Sequence, residues 1–308
     1  MILVSVVIVS WNVKKLLVDC IQGIVDCNDF EIIVIDNYST DGTVETLKIK
    51  FPTVRVIENR YNYGFANANN QGFEISTGKY IYILNPDTLC SIASIRVLIE
   101  DLERCKDVGI IGPKILLGDG TIQNSCARRL PSIWSFFISE VIPSGRILGF
   151  CKVSNINYPY SYNERIEVEA ISGAAMLIRT DLVRRYGGFS NLFIHTGEDL
   201  ELNYRIRKLG YRIIYNPASE IIHFSGQSSK QAELRITVNS YISYQKYFEL
   251  TKGKFSAILF KYLLLLIKVP STYIYYYLMY ICGKIDNRDW SAKKILFMRL
   301  YYWKQILR

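Results

Sequence analysis

Four short β-branched apolar runs, each closed by a polar cluster and separated by stretches of helical length, constrain this chain more than any other feature. The runs are Ile2–Val9, Glu31–Ile35, Val54–Ile57 and Tyr80–Leu84, and between them lie Val13–Cys27, Thr43–Lys50 and Phe65–Ser76. Strands joined by crossover helices pair in parallel, and a parallel sheet is covered on both faces. The first part of the chain therefore reads as an α/β, doubly wound, mostly parallel sheet.

In such a sheet, ligands bind beyond the carboxyl ends of the strands. The residues there are Ser10-Trp11-Asn12, Asp36-Asn37, Glu58-Asn59-Arg60 and Asn85-Pro86-Asp87. Turn chemistry alone places Asn, Asp and Pro at such points; four polar clusters along one edge indicate a polar ligand. Several ligand classes are disfavoured. The first turn lacks G-x-G-x-x-G, which argues against a dinucleotide cradle. The Gly72 to Gly78-Lys79 stretch is one residue too long for a P-loop, and Tyr80 stands where a magnesium-binding hydroxyl is needed. With two histidines and scattered cysteines, a dedicated His/Cys zinc site has no support.

The charge of +9 is uneven. From Thr251 to Arg308 there are eleven Lys and Arg against two acids, while residues 1–250 balance at 26 of each. A basic tail rich in Tyr, Phe and Trp suits an anionic membrane surface better than nucleic acid. From Phe255 to Gly283 the chain is apolar over a length that reaches across a bilayer core. Lys254, Lys261 and Lys268, however, recur every seven residues along one stripe, and Pro270 is expected to interrupt the helix. A helix lying in the interface fits best, continued by a basic aromatic helix from Trp290 to Arg308; a span, an ordinary core contact and a homodimer contact are the other readings. The seven scattered cysteines and a first strand without a basic leader suggest a reducing, cytoplasmic setting.

Several ordered motifs resemble those of the family-2 inverting glycosyltransferases of GT-A fold. They are Val-Ser-Val-Val-Ile-Val-Ser-Trp-Asn, Ile35 to Thr43, Asn62 to Ala66 with Asn70-Gln71-Gly72, and Leu84-Asn85-Pro86-Asp87. Ser172-Gly173-Ala174, Gly187-Gly188-Phe189, Gly197 to Leu202 and His223 to Ser228 follow in the family's order. Gly112-Pro113-Lys114, Asp119 to Gln123 and Arg128 to Ser132 are similar to the bacterial rhamnosyltransferase branch, which implies dTDP-L-rhamnose as donor. The resemblance implies a GT-A domain over residues 1–230, with a nucleotide-sugar half (1–115) and an acceptor half (116–230). Residues 231–308 are expected to form a helical, membrane-associating region.

Sugar transfer from a nucleoside diphosphate requires charge neutralisation on the leaving group, a base for the acceptor hydroxyl and tolerance of an oxocarbenium-like transition state. The resemblance assigns Asp87 and His223 to a divalent metal, Mg2+ or Mn2+, with Asn85 replacing the first acid of the family's D-x-D. An Asn-Pro-Asp turn and a satisfied core histidine are the structural alternatives. Asp199 is the expected base and Glu198 the acceptor-positioning acid; against this, Thr196 with Asp199 also spells a capping box. Ser10, Asn12, Asp36, Asn59, Arg60 and Asn62 are expected along the nucleotide, and Gly173 with Ala174 under the sugar. Asp41 reads as a cap, Trp11 as ligand contact or core, and Arg128-Arg129 as an acceptor contact or a solvated pair. The expected partners are a dTDP- or UDP-sugar and a lipid-linked glycan acceptor at the cytoplasmic face of the membrane. A different donor, such as a UDP-hexose, and a non-catalytic nucleotide-sugar-binding tether are the competing readings.

Overall fold

The computed structural model describes residues 2–135, 162–193, 196–224 and 233–284, together with 286 and 291. The chain divides into two compact units, Met1–Leu130 with Tyr160–Gln231, and Pro131–Pro159 with Ala232–Arg308. Residues 225–228 of the last family-like motif, and the stretch from Trp290 to Arg308 apart from Ser291, lie outside the described residues.

The first unit opens with β1 (Val4–Ser10), α1 (Lys14–Gln22), β2 (Phe30–Asp36), α2 (Thr43–Lys50), β3 (Arg55–Glu58), α3 (Phe65–Ile75) and β4 (Tyr80–Leu84). These are the alternating elements expected from the apolar runs. β1 pairs in parallel with β2 and β4, and β2 with β3, so that Ser10, Asp36 and Glu58 end level with one another. Every residue of β1 and β4 is buried, the pattern of strands covered on both faces. Close helix packing needs Gly72 on α3: a Cβ there would lie 2.4 Å from Val7 Cγ1 and 2.8 Å from Ile35 Cδ1. Asp41 accepts from Thr43 N at 3.2 Å ahead of α2 and from Lys14 N at 3.0 Å ahead of α1; the N-cap of α2 is Gly42, at φ 77° with no side-chain cap bond, so the cap expected at Asp41 is not made at that position.

The chain continues through β5 (Thr88–Leu89), α4 (Ile92–Arg104), β6 (Val108–Leu117), β7 (Ala127–Arg128), β8 (Ile166–Val168), β9 (Ala170–Ile171) and β10 (Ala175–Arg179). It then forms α5 (Thr180–Tyr186), α6 (Glu198–Lys208) and β11 (Arg212–His223). The central sheet runs β3-β2-β1-β4-β10-β6-β11-β5, with β8 on β11, and β7 pairs β9 separately. β10 is antiparallel to both neighbours, so the sheet is mixed beyond β4. β11 changes register on β6 between Asn216 and Glu220. Pro217 in that interval has no N–H to give the ladder, which accounts for a bulge there. Beyond it the strand resumes pairing and delivers His223 opposite Thr88 of β5.

Described by itself, the second unit contains α7 (Glu233–Lys252), α8 (Lys254–Leu263), a π-helical turn (Leu264–Lys268) and α9 (Val269–Ile281). Gly253, at φ 88°, turns the chain between α7 and α8, which pack through Phe248 and Phe260 with ring centroids 5.0 Å apart. The break expected at Pro270 does not occur: Pro270 lies in the first turn of α9, directly after the wide π-turn. A proline is tolerated there because first-turn N–H groups lack intrahelical acceptors in any case. No helix among the described residues is long and apolar enough to cross a membrane.

Candidate active site

Three groups of side chains meet the sheet edge of the first unit. At the ends of β1, β2 and β3, the Asn37 side chain ties the loops together. Its Nδ2 donates to Gly64 O at 3.2 Å, and its Oδ1 accepts from Asn59 Nδ2 at 3.0 Å. Asn59 exchanges two further amide hydrogen bonds with Gln71, at 2.9 and 3.1 Å. Asn62 Oδ1 accepts from Gly64 N at 2.8 Å, and Asn12 Oδ1 from Thr40 N at 2.7 Å. Of the residues expected along the nucleotide, Asn12, Asn59 and Asn62 thus hold the loops, and Arg60 is exposed. Ser10 and Asp36 differ. Both are buried, and Ser10 Oγ and Asp36 Oδ1 have no hydrogen-bond partner among the described residues, while Asp36 Oδ2 accepts from Ser39 N at 2.8 Å. Buried polar atoms are nearly always paired, so these two leave hydrogen-bonding capacity open at the ends of β1 and β2. Trp11, at 36% exposure, lies at the surface and not in the core.

The second group forms where β5 meets the end of β11. His223 Nε2 lies 3.1 Å from Asp87 Oδ1 and 3.3 Å from Asn85 Nδ2, and both His223 and Asp87 are buried. On the other side of the ring, Nδ1 is 2.7 Å from Gln123 Oε1. A backbone bond from Phe224 N to Asp87 O, 2.9 Å, fixes the two segments together. Asn85, Asp87 and His223 are therefore one constellation, although His223 is 136 residues from Asp87 in sequence. An imidazole nitrogen and a carboxylate oxygen face each other across 3.1 Å; carboxylate oxygen is the ligand type that magnesium and manganese favour, and imidazole the type that softer divalent ions favour. No group of three or more His, Cys, Asp or Glu side chains among the described residues forms a complete cage. One or two carboxylates plus substrate phosphate oxygens is the arrangement magnesium commonly uses, and Asp87 supplies one.

The third group sits at the start of α6. Arg205 pairs bidentately with Glu201 and donates to the carbonyls of Tyr186, Gly187 and Gly188, anchoring the helix at its middle. Buried Asn203 bonds both the N–H and the carbonyl of Ile171, at 3.1 Å each, which sets the helix against β9. The expected capping box between Thr196 and Asp199 is not made. The helix N-cap is Gly197, at φ 100°, with no side-chain cap bond. Asp199 instead turns to the 172–174 segment: Oδ2 accepts from Gly173 N at 3.1 Å and from Arg128 Nη2, and Oδ1 from Leu200 N at 2.8 Å. Arg128 is thus a buried partner of Asp199 and not a solvated cation. Glu198 is buried beside them with no side-chain hydrogen bond among the described residues. Burial first, and then the neighbouring Asp199 charge, hold its carboxyl well above the usual carboxylate range.

Two backbone bonds join the groups. Asn85 N donates to Ala174 O at 2.9 Å, and the adjacent Gly173 N reaches Asp199. A Cβ on Gly173 would approach Asp199 Cβ to 3.3 Å, so the glycine permits this close passage of the 172–174 segment past Asp199. Arg128, Gln123 and Asn37 are the contributors whose contacts sequence reasoning missed. For Gln123 and Arg128 the one signal was their place in the 119–132 motifs, whose chemistry that pattern left undefined.

A mixed sheet with nucleotide-type loops at one end and an acidic helix start facing them is the architecture of GT-A glycosyltransferases. The fold of S. aureus TarS, residues 1–349, aligns over 98% of this chain and 82% of that one, with a TM-score of 0.55 at 12% identity. A mannosyltransferase from Pyrobaculum calidifontis, solved with GDP-Man and Mn2+, aligns over 97% and 86%, with a TM-score of 0.52 at 16% identity. Residues 5–141 match the family profile described as Glycosyl transferase family 2, so the chain carries a domain of that family. Among curated relatives, an N-acetylglucosaminyl-diphospho-decaprenol L-rhamnosyltransferase of Mycobacterium tuberculosis is 28% identical over 216 residues, 64% of this chain and 67% of the relative.

Proposed function

We propose that this enzyme transfers L-rhamnose, with inversion, from dTDP-L-rhamnose to a lipid-linked glycan in the synthesis of a bacterial surface polysaccharide. The observation that carries the reading is the joining of the Asp87–His223 pair and Asp199 through the Gly173-Ala174 segment. The likeness to the M. tuberculosis rhamnosyltransferase, named for a decaprenyl diphosphate acceptor, supports the sugar and the lipid carrier.

In this reading Ser10 and Asp36 receive the nucleoside through their unpaired oxygens. Asp87 and His223 are the residues that would hold Mg2+ or Mn2+, which would supply the positive charge that the leaving diphosphate requires. Asp199 takes the proton from the acceptor hydroxyl as its oxygen bonds the anomeric carbon from the face opposite the diphosphate; the bond to the diphosphate oxygen breaks, and configuration inverts. Glu198 keeps its proton to higher pH than an ordinary carboxyl, and as a buried O–H donor it positions the acceptor. Arg128 orients Asp199.

The C-terminal unit supports attachment to the cytoplasmic face of the membrane. Phe255, Ile258, Tyr262 and Leu266 recur at helical spacing along α8 and the π-turn, and are 78%, 49%, 53% and 70% exposed. An exposed apolar stripe in a strongly basic segment fits a peripheral helix on anionic lipid.

The test is nucleoside diphosphate release by detergent-purified enzyme, with Mg2+ or Mn2+, across dTDP-L-rhamnose, UDP-glucose and UDP-galactose. Release from dTDP-L-rhamnose alone, lost in Asp87→Ala and Asp199→Asn, is expected. Release from a UDP-hexose alone overturns the donor assignment. Silence throughout, with extracted lipid acceptor present, favours the non-catalytic tether.

A further inference from the structure

Three phenylalanine rings run from the interior of the first unit to the base-side residues of the site. Phe189 lies between the other two, its ring centroid 5.6 Å from that of Phe73 and 5.7 Å from that of Phe65. Phe73 and Phe189 are buried, whereas Phe65 is only half-buried. Asn70 holds the middle residue by its backbone, accepting from Phe189 N at 2.9 Å and donating to Phe189 O at 2.8 Å. Phe65 itself opens α3, and Gly64 before it is tied on both sides: its N–H donates to Asn62 Oδ1, and its carbonyl accepts from Asn37 Nδ2. The Phe65 ring is thus supported from behind by packing and held at its backbone by the nucleotide-side loops.

What the ring faces is read from Gly173. The point at which a Cβ of residue 173 would stand is 3.7 Å from Phe65 Cε1 and 3.8 Å from Asp199 Oδ2, and Gly173 N donates to that same oxygen. One residue further on, Ala174 O accepts from Asn85 N, in the loop that carries Asp87. A donor sugar whose anomeric carbon lies between the diphosphate and Asp199 therefore passes the 173–174 segment with the Phe65 ring at its flank. An aromatic ring face gives a hydroxyl no partner of ordinary strength, so a hydroxyl pressed against it loses its water without compensation, while a methyl gains by burial. L-Rhamnose carries a methyl at C6 where its parent hexose, L-mannose, carries a hydroxymethyl. We propose that Phe65 is a specificity-determining residue, its ring forming an apolar wall of the sugar pocket that receives the C6 methyl of a 6-deoxyhexose and disfavours a donor with a C6 hydroxyl. This rests on the donor reading given above and adds the residue that makes the choice.

The experiment compares dTDP-L-rhamnose with dTDP-L-mannose, which has the same configuration and differs only at C6. With detergent-purified full-length enzyme, Mg2+ and extracted lipid acceptor, wild type is expected to favour the rhamnose donor in kcat/KM by about a hundredfold, the discrimination an apolar pocket achieves against an added hydroxyl. Phe65→Asn, which sets an amide at the wall, should cut that ratio by about tenfold or more. A ring that only supported the fold would lower both rates together and leave the ratio unchanged. Binding gives a second readout that needs neither turnover nor a variant. In perdeuterated protein carrying protonated phenylalanine, saturation of the ring protons should pass to the C6 methyl of dTDP-L-rhamnose more strongly than to any other sugar proton. If Phe65→Asn does not fold, this saturation decides alone. Equal use of both donors by wild type, a ratio unmoved in folded Phe65→Asn, or a methyl that receives no more saturation than its neighbours overturns the wall while the donor reading stands. Wild type that binds neither dTDP-sugar overturns the donor reading and the wall with it.

Discussion

Cutting the Arg128–Asp199 pair separates what the pair does for the fold from what Asp199 does in the reaction. Both side chains are largely shielded from solvent, at 14% and 11% exposure. At that depth, removing one partner strands a charge in a medium that solvates it poorly, at a cost of about 3–5 kcal/mol. Arg128→Met falls near the lower end of that range, because Asp199 keeps the N–H groups of Gly173 and Leu200. Asp199→Asn leaves the guanidinium facing a neutral amide and costs about as much. The double variant removes both charges and should recover about 2 kcal/mol of the summed losses. Thermal unfolding reads this as a drop of about 6–12 °C in each single variant, with the double variant clearly better than the sum. Turnover divides differently. Arg128→Met retains the base, whereas Asp199→Asn and the double variant lose it and should fall by about two to four orders of magnitude. Single variants that cost under about 1 kcal/mol would mean the pair behaves as a surface contact. A double variant that keeps its turnover would refute Asp199 as base.

Glu198 carries the pH prediction. Because its carboxyl holds a proton above the ordinary range in the folded state, the folded chain binds more protons than the unfolded one once pH exceeds the ordinary carboxyl value. Stability from this group is therefore present at low pH and is lost as pH rises from the ordinary carboxyl value toward the raised one, by about 1.4 kcal/mol for each pH step of one across that interval. The difference in Tm between Glu198→Gln and wild type should be small at pH 4.5 and grow in favour of the variant toward pH 8. Gly112→Ala should lower Tm by several degrees with the sheet otherwise intact, since a Cβ would come within 2.2 Å of Ile171 Cγ2 and overpacking costs about 1–3 kcal/mol. On flotation, the protein should rise with vesicles containing phosphatidylglycerol and dissociate in about 0.5 M salt, where exposed charges are screened over a few ångströms. Ile258→Asn should weaken flotation and leave Tm unchanged, because Ile258 is half exposed.

The alternating apolar runs of residues 2–84 were sufficient for the parallel half of the sheet. Burial on both faces demands continuous β-branched stretches, and each run became a strand of the same sheet. The acidic start of α6 was equally legible, because helix starts are written locally. The motif order placed candidate residues at the right edge and could not say what each one touches. Asn59 and Asn62 illustrate this: Asn is at home in turns and in ligand sites alike, and here both hold the loop.

What only the tertiary structure decided is which distant side chains face one another. A bulge at Pro217 lets β11 resume its pairing and bring His223 to Asp87. The β7–β9 pairing sets Arg128 opposite Ala170, from where its guanidinium reaches Asp199, so a residue readable as a solvated cation becomes the part-buried partner of the candidate base. A left-handed Gly197 takes the cap that the local pattern assigned to Thr196, leaving the Asp199 carboxylate to face Gly173. The sequence by itself determined the strands, the crossovers and the acidic helix start, because these depend on periodicities of a few residues. The site depended on pairings across tens to more than a hundred residues, and these are selected by how whole elements pack together.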